Sequence, residues 1–214
     1  MTTLSKIVTA TVLSLLLVSC IDMNSITGVT GNGNVQIENR SSNESFNKIS
    51  ASQGLDVYLT QGNEESITVE ADENLLDIIK TEITGDELRI YAKNNIGYAA
   101  SKKITVTFKD IRSIESTSGS DIRSPNTIKV DNLELNTSSG SDMSLSVETN
   151  QLDCHSSSGS DLRLSGSTEK LFAKASSGSD ITAGDLISQS SQVKATSGSD
   201  ITVNTSKELT ASAN

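Results

Sequence analysis

The tetrapeptide Ser-Gly-Ser-Asp occurs five times in the second half of this 214-residue chain, and its spacing constrains the fold more than any other feature. The aspartates that end these corner motifs follow one another at intervals of 21, 19, 19 and 20 residues: Asp121, Asp142, Asp161, Asp180 and Asp200. A period of about 20 residues without helical patterning is typical of a solenoid, in which each coil covers the hydrophobic face of the previous coil.

Alignment of the repeats on the motif glycines separates apolar from polar positions. The aligned glycines are Gly119, Gly140, Gly159, Gly178 and Gly198. One apolar column lies three residues after them (Ile122, Met143, Leu162, Ile181, Ile201), and another lies five residues before them (Ile114, Leu135, Cys154, Ala173, Val193). Because alternate residues of a strand face opposite sides, the polar positions between these columns predict a thin aliphatic core with a polar exterior. Each glycine falls where two strands meet, a turn position that favours positive φ.

The segment before the repeats has longer alternating strands, such as Leu55-Asp-Val-Tyr-Leu59 and Ile104-Thr-Val-Thr-Phe108. We therefore predict an all-β solenoid over 45–214, with wider amino-terminal coils over 45–112 and the repeats over 113–214. Residues 208–214 match the approach to a corner, so the last coil is expected to be incomplete. An open strand edge there would allow self-association.

The amino terminus has the pattern of a lipoprotein leader. Lys6 precedes an apolar run, Ile7 to Val18, that is too short to span a bilayer, and the run ends in Leu17-Val-Ser-Cys20, which resembles a bacterial lipobox. We expect a signal peptide over 1–19, acyl chains on Cys20 that anchor the protein to the membrane, and a flexible tether over 20–44 rich in Gly, Asn, Ser and Thr. A plain secretion signal or a cytosolic start are the alternatives. The lipoprotein interpretation places the domain in the cell envelope, at the outer membrane or elsewhere outside the cytoplasm.

The charge balance of the chain bears on its partners. With 17 basic and 27 acidic residues the formal net charge is -10, which argues against nucleic acid as a partner. The second cysteine, Cys154, falls in an inward column, where a buried apolar role is expected. An acylated Cys20 would leave no intramolecular disulfide to stabilise the domain.

Several segments in sequence order resemble a known family, the putative auto-transporter adhesin head domain, also called the GIN domain. The matching segments are Phe46-Asn-Lys-Ile-Ser, Gly54 to Gly62, Asn74-Leu-Leu, Gly85-Asp-Glu-Leu-Arg-Ile90 and the corner motifs. The resemblance implies a single-stranded right-handed parallel β-helix, a location outside the cytoplasm and no established catalytic residues.

The five motif aspartates are the main candidates for a functional site. Stacked in one column they would lie about 4.8 Å apart, at which like charges repel. Hydrogen bonds from the corner's own backbone donors would offset this repulsion as a structural explanation. Calcium bound between successive carboxylates is the functional alternative, and no other cofactor is expected. His155 lies in an outward column without a second histidine, and no serine has a base beside it, so we predict no catalytic residues.

Three functions remain open at this point. The first is a non-catalytic adhesion or binding module for a protein or glycan, displayed on its tether. The second is an envelope scaffold or assembly protein that pairs through its open carboxyl-terminal edge. The third, a glycan-degrading β-helix enzyme, is disfavoured because the chain lacks the catalytic groupings that such enzymes use.

Overall fold

The computed structural model describes residues 28–41 and 44–214, which form a β-solenoid with stacked parallel coils of about 20 residues. The amino-terminal part holds β1 (Val35–Arg40), β2 (Lys48–Ala51), β3 (Asp56–Gln61), β4 (Ser66–Asp72), a 3-10 turn (Glu73–Leu75), β5 (Ile79–Thr84), β6 (Glu87–Ala92) and β7 (Lys102–Phe108). The repeats hold β8 (Ser113–Ser116), β9 (Asp121–Lys129), β10 (Asn132–Thr137), β11 (Asp142–Ser157), β12 (Asp161–Ser176), β13 (Asp180–Thr196) and β14 (Asp200–Ala213). The predicted fold class is confirmed.

Parallel pairing between successive coils builds two walls that meet at the corner motifs. Strand segments after the corners form the post-corner wall, which contains β3, β9 and the first parts of β11 to β14. Segments before the corners form the pre-corner wall, which contains β2, β8, β10 and the later parts of β11 to β14. The register pairs Ile122 with Met143, Met143 with Leu162 and Leu162 with Ile181. The predicted inward columns are therefore confirmed as continuous ladders.

The core between the two walls consists of buried, mostly aliphatic side chains. Ile122, Met143 and Leu162 each have 0% of their surface exposed, and Cys154 lies in the neighbouring ladder with the same value. Burial of such side chains contributes roughly 25 cal/mol per Å² of apolar surface. Each coil has only a narrow interior, so the stacking of neighbouring coils supplies most of the stabilisation.

In the amino-terminal part the chain doubles back and adds antiparallel strands to the stack. β7 pairs in parallel with β3, and β6 pairs in parallel with β2. On their other sides, β7 has β4 as its neighbour and β6 has β5. β4 and β5 run antiparallel to them, and β1 adds a further antiparallel strand to β4. The sequence indicated wider β coils here without giving their strand directions, and the structure shows that this part contains antiparallel strands as well as parallel ones. This arrangement leaves Leu75 and Ile79 fully buried at the amino-terminal end.

The predicted tether over 20–44 contains ordered structure. Residues 35–40 form β1, and Val29 makes a bridge to Ile96. The buried Asp72 carboxylate accepts hydrogen bonds from the backbone N–H groups of Gly33 at 2.8 Å and of Ala100 and Ser101 at 3.0 Å. The Gly33 N–H makes the largest contribution to holding the pKa of Asp72 below its ordinary value, against the opposing effect of burial. Composition indicated flexibility here, but a buried carboxylate that needs donors holds the segment in place.

Cys20 and the predicted signal peptide lie outside the described residues. In the residues that are described, no helix is long and apolar enough to cross a membrane.

Candidate functional site

Each corner contains two successive residues in the left-handed backbone region. The motif glycines have φ between 67° and 72°, and the serines that precede them have φ between 54° and 58°. Gln53 and Gly54 repeat this geometry at the amino-terminal coil, with φ of 63° and 70°. The sequence indicated the positive φ of glycine, but not that of serine, for which this region is uncommon. The corner therefore stores local strain that other contacts must offset.

The second serine of each motif supplies those contacts. Ser160 is buried, and its hydroxyl donates to the Ser157 carbonyl at 2.7 Å and accepts from the Ser157 N–H at 3.2 Å. Ser141 and Ser179 occupy the same place, and each donates to the backbone of the preceding coil, at 2.7 and 2.8 Å. Such hydroxyls close the turn and tie neighbouring coils together.

The motif aspartates do not take part in this network. In the described residues, no backbone group donates to their carboxylates, and the Asp142 and Asp161 N–H groups are used in the ladder between coils. The interpretation of these carboxylates as acceptors for the corner's backbone donors is therefore wrong. The physical reason is that the buried serine already occupies the inside of the turn, while the aspartate begins the next strand and faces outward.

Ion pairs engage only part of the column. Arg163 lies 3.0 Å from Asp161 and 3.7 Å from Asp142, and Arg123 lies 3.7 Å from Asp121. Within the described part of the chain, Asp180 and Asp200 have neither an ion pair nor a side-chain hydrogen bond. These exposed pairs contribute about 0 to 1 kcal/mol each.

The column is longer than the five motifs. Asp56 pairs in register with Asp121, so six aspartates stack along the post-corner wall. Lys103 is the next neighbour of Asp56, and Glu70 follows Lys103. Lys103 also lies over the Tyr58 ring, 5.1 Å from its centroid. A single lysine thus separates the aspartate column from a further carboxylate at the amino-terminal end.

Asp142 lies in register between two other aspartates of the column, Asp121 and Asp161. Partial burial, followed by the charges of Asp121 and Asp161, raises the pKa of this carboxyl above its ordinary value of 3.8. The folded chain therefore holds the Asp142 proton more tightly than the unfolded chain does. The contribution of this group to stability is greatest below pH 3.8 and falls as the pH rises towards the folded pKa.

Asp142→Asn is accordingly expected to stabilise the domain at neutral pH, by a few tenths of a kcal/mol and at most about 1 kcal/mol, because the side chain is largely exposed. The measurement is urea unfolding of the native protein and the variant at pH 7 and at pH 3.5. The difference between their free energies of unfolding should be smaller at pH 3.5. Asp185→Asn, at an exposed position outside the column, is the control. A variant less stable than the native protein at pH 7 would contradict this assignment.

A calcium ladder needs more ligands than the column presents. Calcium takes about six to eight oxygen atoms, and outward carboxylates from neighbouring strands offer it two side chains at a time. Across 28–41 and 44–214, no group of three or more Asp, Glu, His or Cys residues is arranged to hold a metal ion.

The other candidates from the sequence lie apart from this column. Cys154 is fully buried, and burial raises the pKa of its thiol, which removes the thiolate that a nucleophile requires. His155 is exposed in the outward column of the pre-corner wall, between Asn136 and Lys174. Among the residues that the structure describes, neither has a catalytic partner beside it.

A stack of short coils with regular corners and one continuous outward column defines a repeat domain of the β-solenoid class, which presents an extended surface. The chain belongs to the family described as putative auto-transporter adhesin, head GIN domain, whose model matches residues 45–214. Among curated proteins, none matches the chain in sequence.

Solved structures share the fold at low sequence identity. A putative adhesin from Bacteroides fragilis NCTC 9343 is 19% identical with a TM-score of 0.82, over 87% of this chain and 88% of that chain. A putative lipid binding protein from Parabacteroides distasonis ATCC 8503 is 18% identical with a TM-score of 0.66, over 87% and 97% of the two chains. A putative adhesin from Parabacteroides merdae ATCC 43184 is 16% identical with a TM-score of 0.60, over the same shares.

Proposed function

We propose that this chain is a non-catalytic lipoprotein of the cell envelope that acts as an adhesion or binding module. Membership of a family of putative adhesins supports a surface or envelope role. The Leu-Val-Ser-Cys20 sequence supports acyl anchoring, and the candidate nucleophiles supply no catalytic grouping. Membrane anchoring at one end and an extended solenoid at the other are suited to presenting a binding surface.

The observation that carries this proposal is the aspartate column, because folding does not require it. Its carboxylates stabilise no corner, its neighbours repel one another, and Asp180 and Asp200 have no partner in the described residues. Charged residues that lower stability and make no stabilising contact are typical of functional surfaces. The column gives the post-corner wall a row of outward carboxylates, which favours a cationic group on the partner. A calcium ion between the column and a partner would need its remaining oxygen ligands from that partner.

The anchoring step is tested with the full chain expressed with its own leader. Native protein should fractionate with membranes, incorporate radiolabelled palmitate and promote attachment of the cells to immobilised glycans or matrix proteins. Cys20→Ala should lose the label and the membrane association, and attachment should fall to the level of cells without the gene. Cys154→Ala is the matched control, since Cys154 is buried in the core. Attachment that is the same with and without the gene would refute the adhesion role.

A second candidate role is assembly through β14, which has one strand neighbour, β13, among the described residues. Most of β14 is exposed, including Leu209 at 53%. A strand edge with free backbone groups and apolar side chains favours pairing with another chain. This surface supports an envelope scaffold in which copies of the chain, or a partner, pair along β14.

The assembly role predicts a molecular mass that rises with concentration in analytical ultracentrifugation. Leu209→Lys should shift the protein towards the monomer without lowering its unfolding temperature, since Leu209 contributes little to the core. A native protein that stays monomeric at every concentration would exclude self-assembly through this edge.

A further inference from the structure

A groove lies in the pre-corner wall, whereas the aspartate column lies on the post-corner wall. The groove forms because the small residues Ser50, on β2, and Ser52, just after β2, lie between longer side chains on the two neighbouring strands. Ser50 pairs in register with Arg89 on β6 and with Glu115 on β8. The resulting cavity has a volume of about 200 Å³, and Glu87, Arg89, Tyr91, Glu115 and Thr117 contribute to its lining.

Contacts within the groove hold its β6 side in place. The Tyr91 hydroxyl donates to the Glu82 carboxylate at 2.9 Å, and the Arg89 guanidinium lies 5.6 Å from the centroid of the Tyr91 ring. The Ser50 hydroxyl donates to Glu87 Oε1 at 2.5 Å. These contacts restrict the rotamers of the lining residues before any ligand is bound, which lowers the entropic cost of binding.

Arg89 is the unusual residue of this site. The chain has five arginines, and the other four, Arg40, Arg112, Arg123 and Arg163, each form an ion pair with a carboxylate. Glu82 lies opposite Arg89 in the β5–β6 register, yet it accepts from Tyr91 instead. In the described chain the Arg89 donors therefore have no carboxylate partner, and they line the groove.

Glu115 completes the site from the other side. Its carboxylate has neither a hydrogen bond nor an ion pair in the described residues. Arg89 supplies only donors and Glu115 supplies only acceptors, while Ser52 and Thr117 add hydroxyls that can do both. The two carboxylates and one guanidinium give the groove a net negative charge, which disfavours phosphate, sulfate or carboxylate ligands.

We propose that this groove binds the terminal ring of a neutral glycan. Vicinal hydroxyls of a sugar ring match a guanidinium and a carboxylate, each of which can engage two of them, and an aromatic side chain adds apolar contact. The volume is smaller than the roughly 300 Å³ at which pockets for larger ligands begin, so one ring is favoured over a longer segment. This assignment rests on the proposed binding role and names its ligand class.

The test is saturation-transfer-difference NMR on the full chain with glucose, galactose, mannose and N-acetylglucosamine, and with N-acetylneuraminic acid as the anionic comparison. At least one neutral sugar should give transfer, and its affinity should fall at least tenfold in Arg89→Ala and in the isosteric variant Glu115→Gln. Arg163→Ala, on the post-corner wall, is the control and should bind as the native protein does. Unfolding temperatures of all variants show that the fold is retained.

Two outcomes would overturn the assignment. One is the absence of transfer from all four neutral sugars, or equal transfer in the native protein and both groove variants. The other is stronger binding of N-acetylneuraminic acid than of every neutral sugar. Cell attachment measured in parallel separates the two proposals, because gene-dependent attachment together with no transfer from any neutral sugar refutes the groove and leaves the adhesion role standing.

Discussion

Gly166→Ala should destabilise the domain by about 3 kcal/mol or more, the largest effect that we expect from one methyl group in this chain. Gly166 has φ of 106°, and a Cβ placed on it would lie 2.1 Å from the Val147 carbonyl oxygen. That oxygen belongs to the backbone of the neighbouring coil, so no side-chain rotation can relieve the overlap. The two coils would have to separate locally, which weakens their ladder of hydrogen bonds.

Gly184→Ala is the matched control on β13. A Cβ at Gly184 would meet only the Thr202 methyl group, at 3.6 Å, and its φ lies outside the left-handed region. We expect a change within about 1 kcal/mol for this variant. Urea unfolding followed by circular dichroism measures both. Equal midpoints for the two variants would show that the Gly166 backbone does not have the assigned conformation.

Leu162→Ala should cost about 2 to 5 kcal/mol because it opens a cavity in the central ladder of the solenoid. Leu162 has 0% exposure and lies between Met143 and Ile181 in register. Coils contact only their neighbours, so the loss should be felt first by the coils that stack on this one. Hydrogen exchange is expected to quicken in β12 and β13 more than in β3 and β7.

Leu209→Ala removes the same atoms from β14, where the side chain is 53% exposed. We expect a change of about 0.5 kcal/mol or less, because little of this surface is buried on folding. Comparison of Leu162→Ala with Leu209→Ala therefore separates the effect of core packing from the effect of removing the same atoms at an exposed position. A cost for Leu209→Ala that equals the cost for Leu162→Ala would contradict the assigned positions of these strands.

The repeats were predictable because their information is local and periodic. A spacing of about 20 residues places each residue beside its equivalent in the next coil, so the columns of Ile122 and Ile114 follow from alignment alone. The column that contains Asp121 was predictable for the same reason, and the strand register adds Asp56 to it. The hydrogen bonding of these aspartates was not predictable from the sequence, because the buried serines accept from the backbone N–H groups of the corner in their place.

The amino-terminal part shows the opposite case. β6 lies between β2 and β5, and β7 lies between β3 and β4. The alternation of apolar and polar residues in β6 and β7 does not predict this insertion. The groove depends on this insertion, since it brings Arg89 beside Ser50, which is 39 positions earlier in the chain. No local pattern could show that Glu82 would bind Tyr91 and leave Arg89 available.

By itself, the sequence determined the solenoid, its period, its inward ladders and the stacking of its acidic corners, because each of these depends on contacts one repeat apart. It also predicts the lipid anchor at Cys20. Only the tertiary structure decided which polar groups have partners, because hydrogen bonds and ion pairs form between segments whose approach is set by the packing of the whole domain. Asp72 and Arg89 are charged residues with no distinguishing local sequence, and the corner aspartates share one motif that does not show which of them have partners. Their different environments arise from that packing.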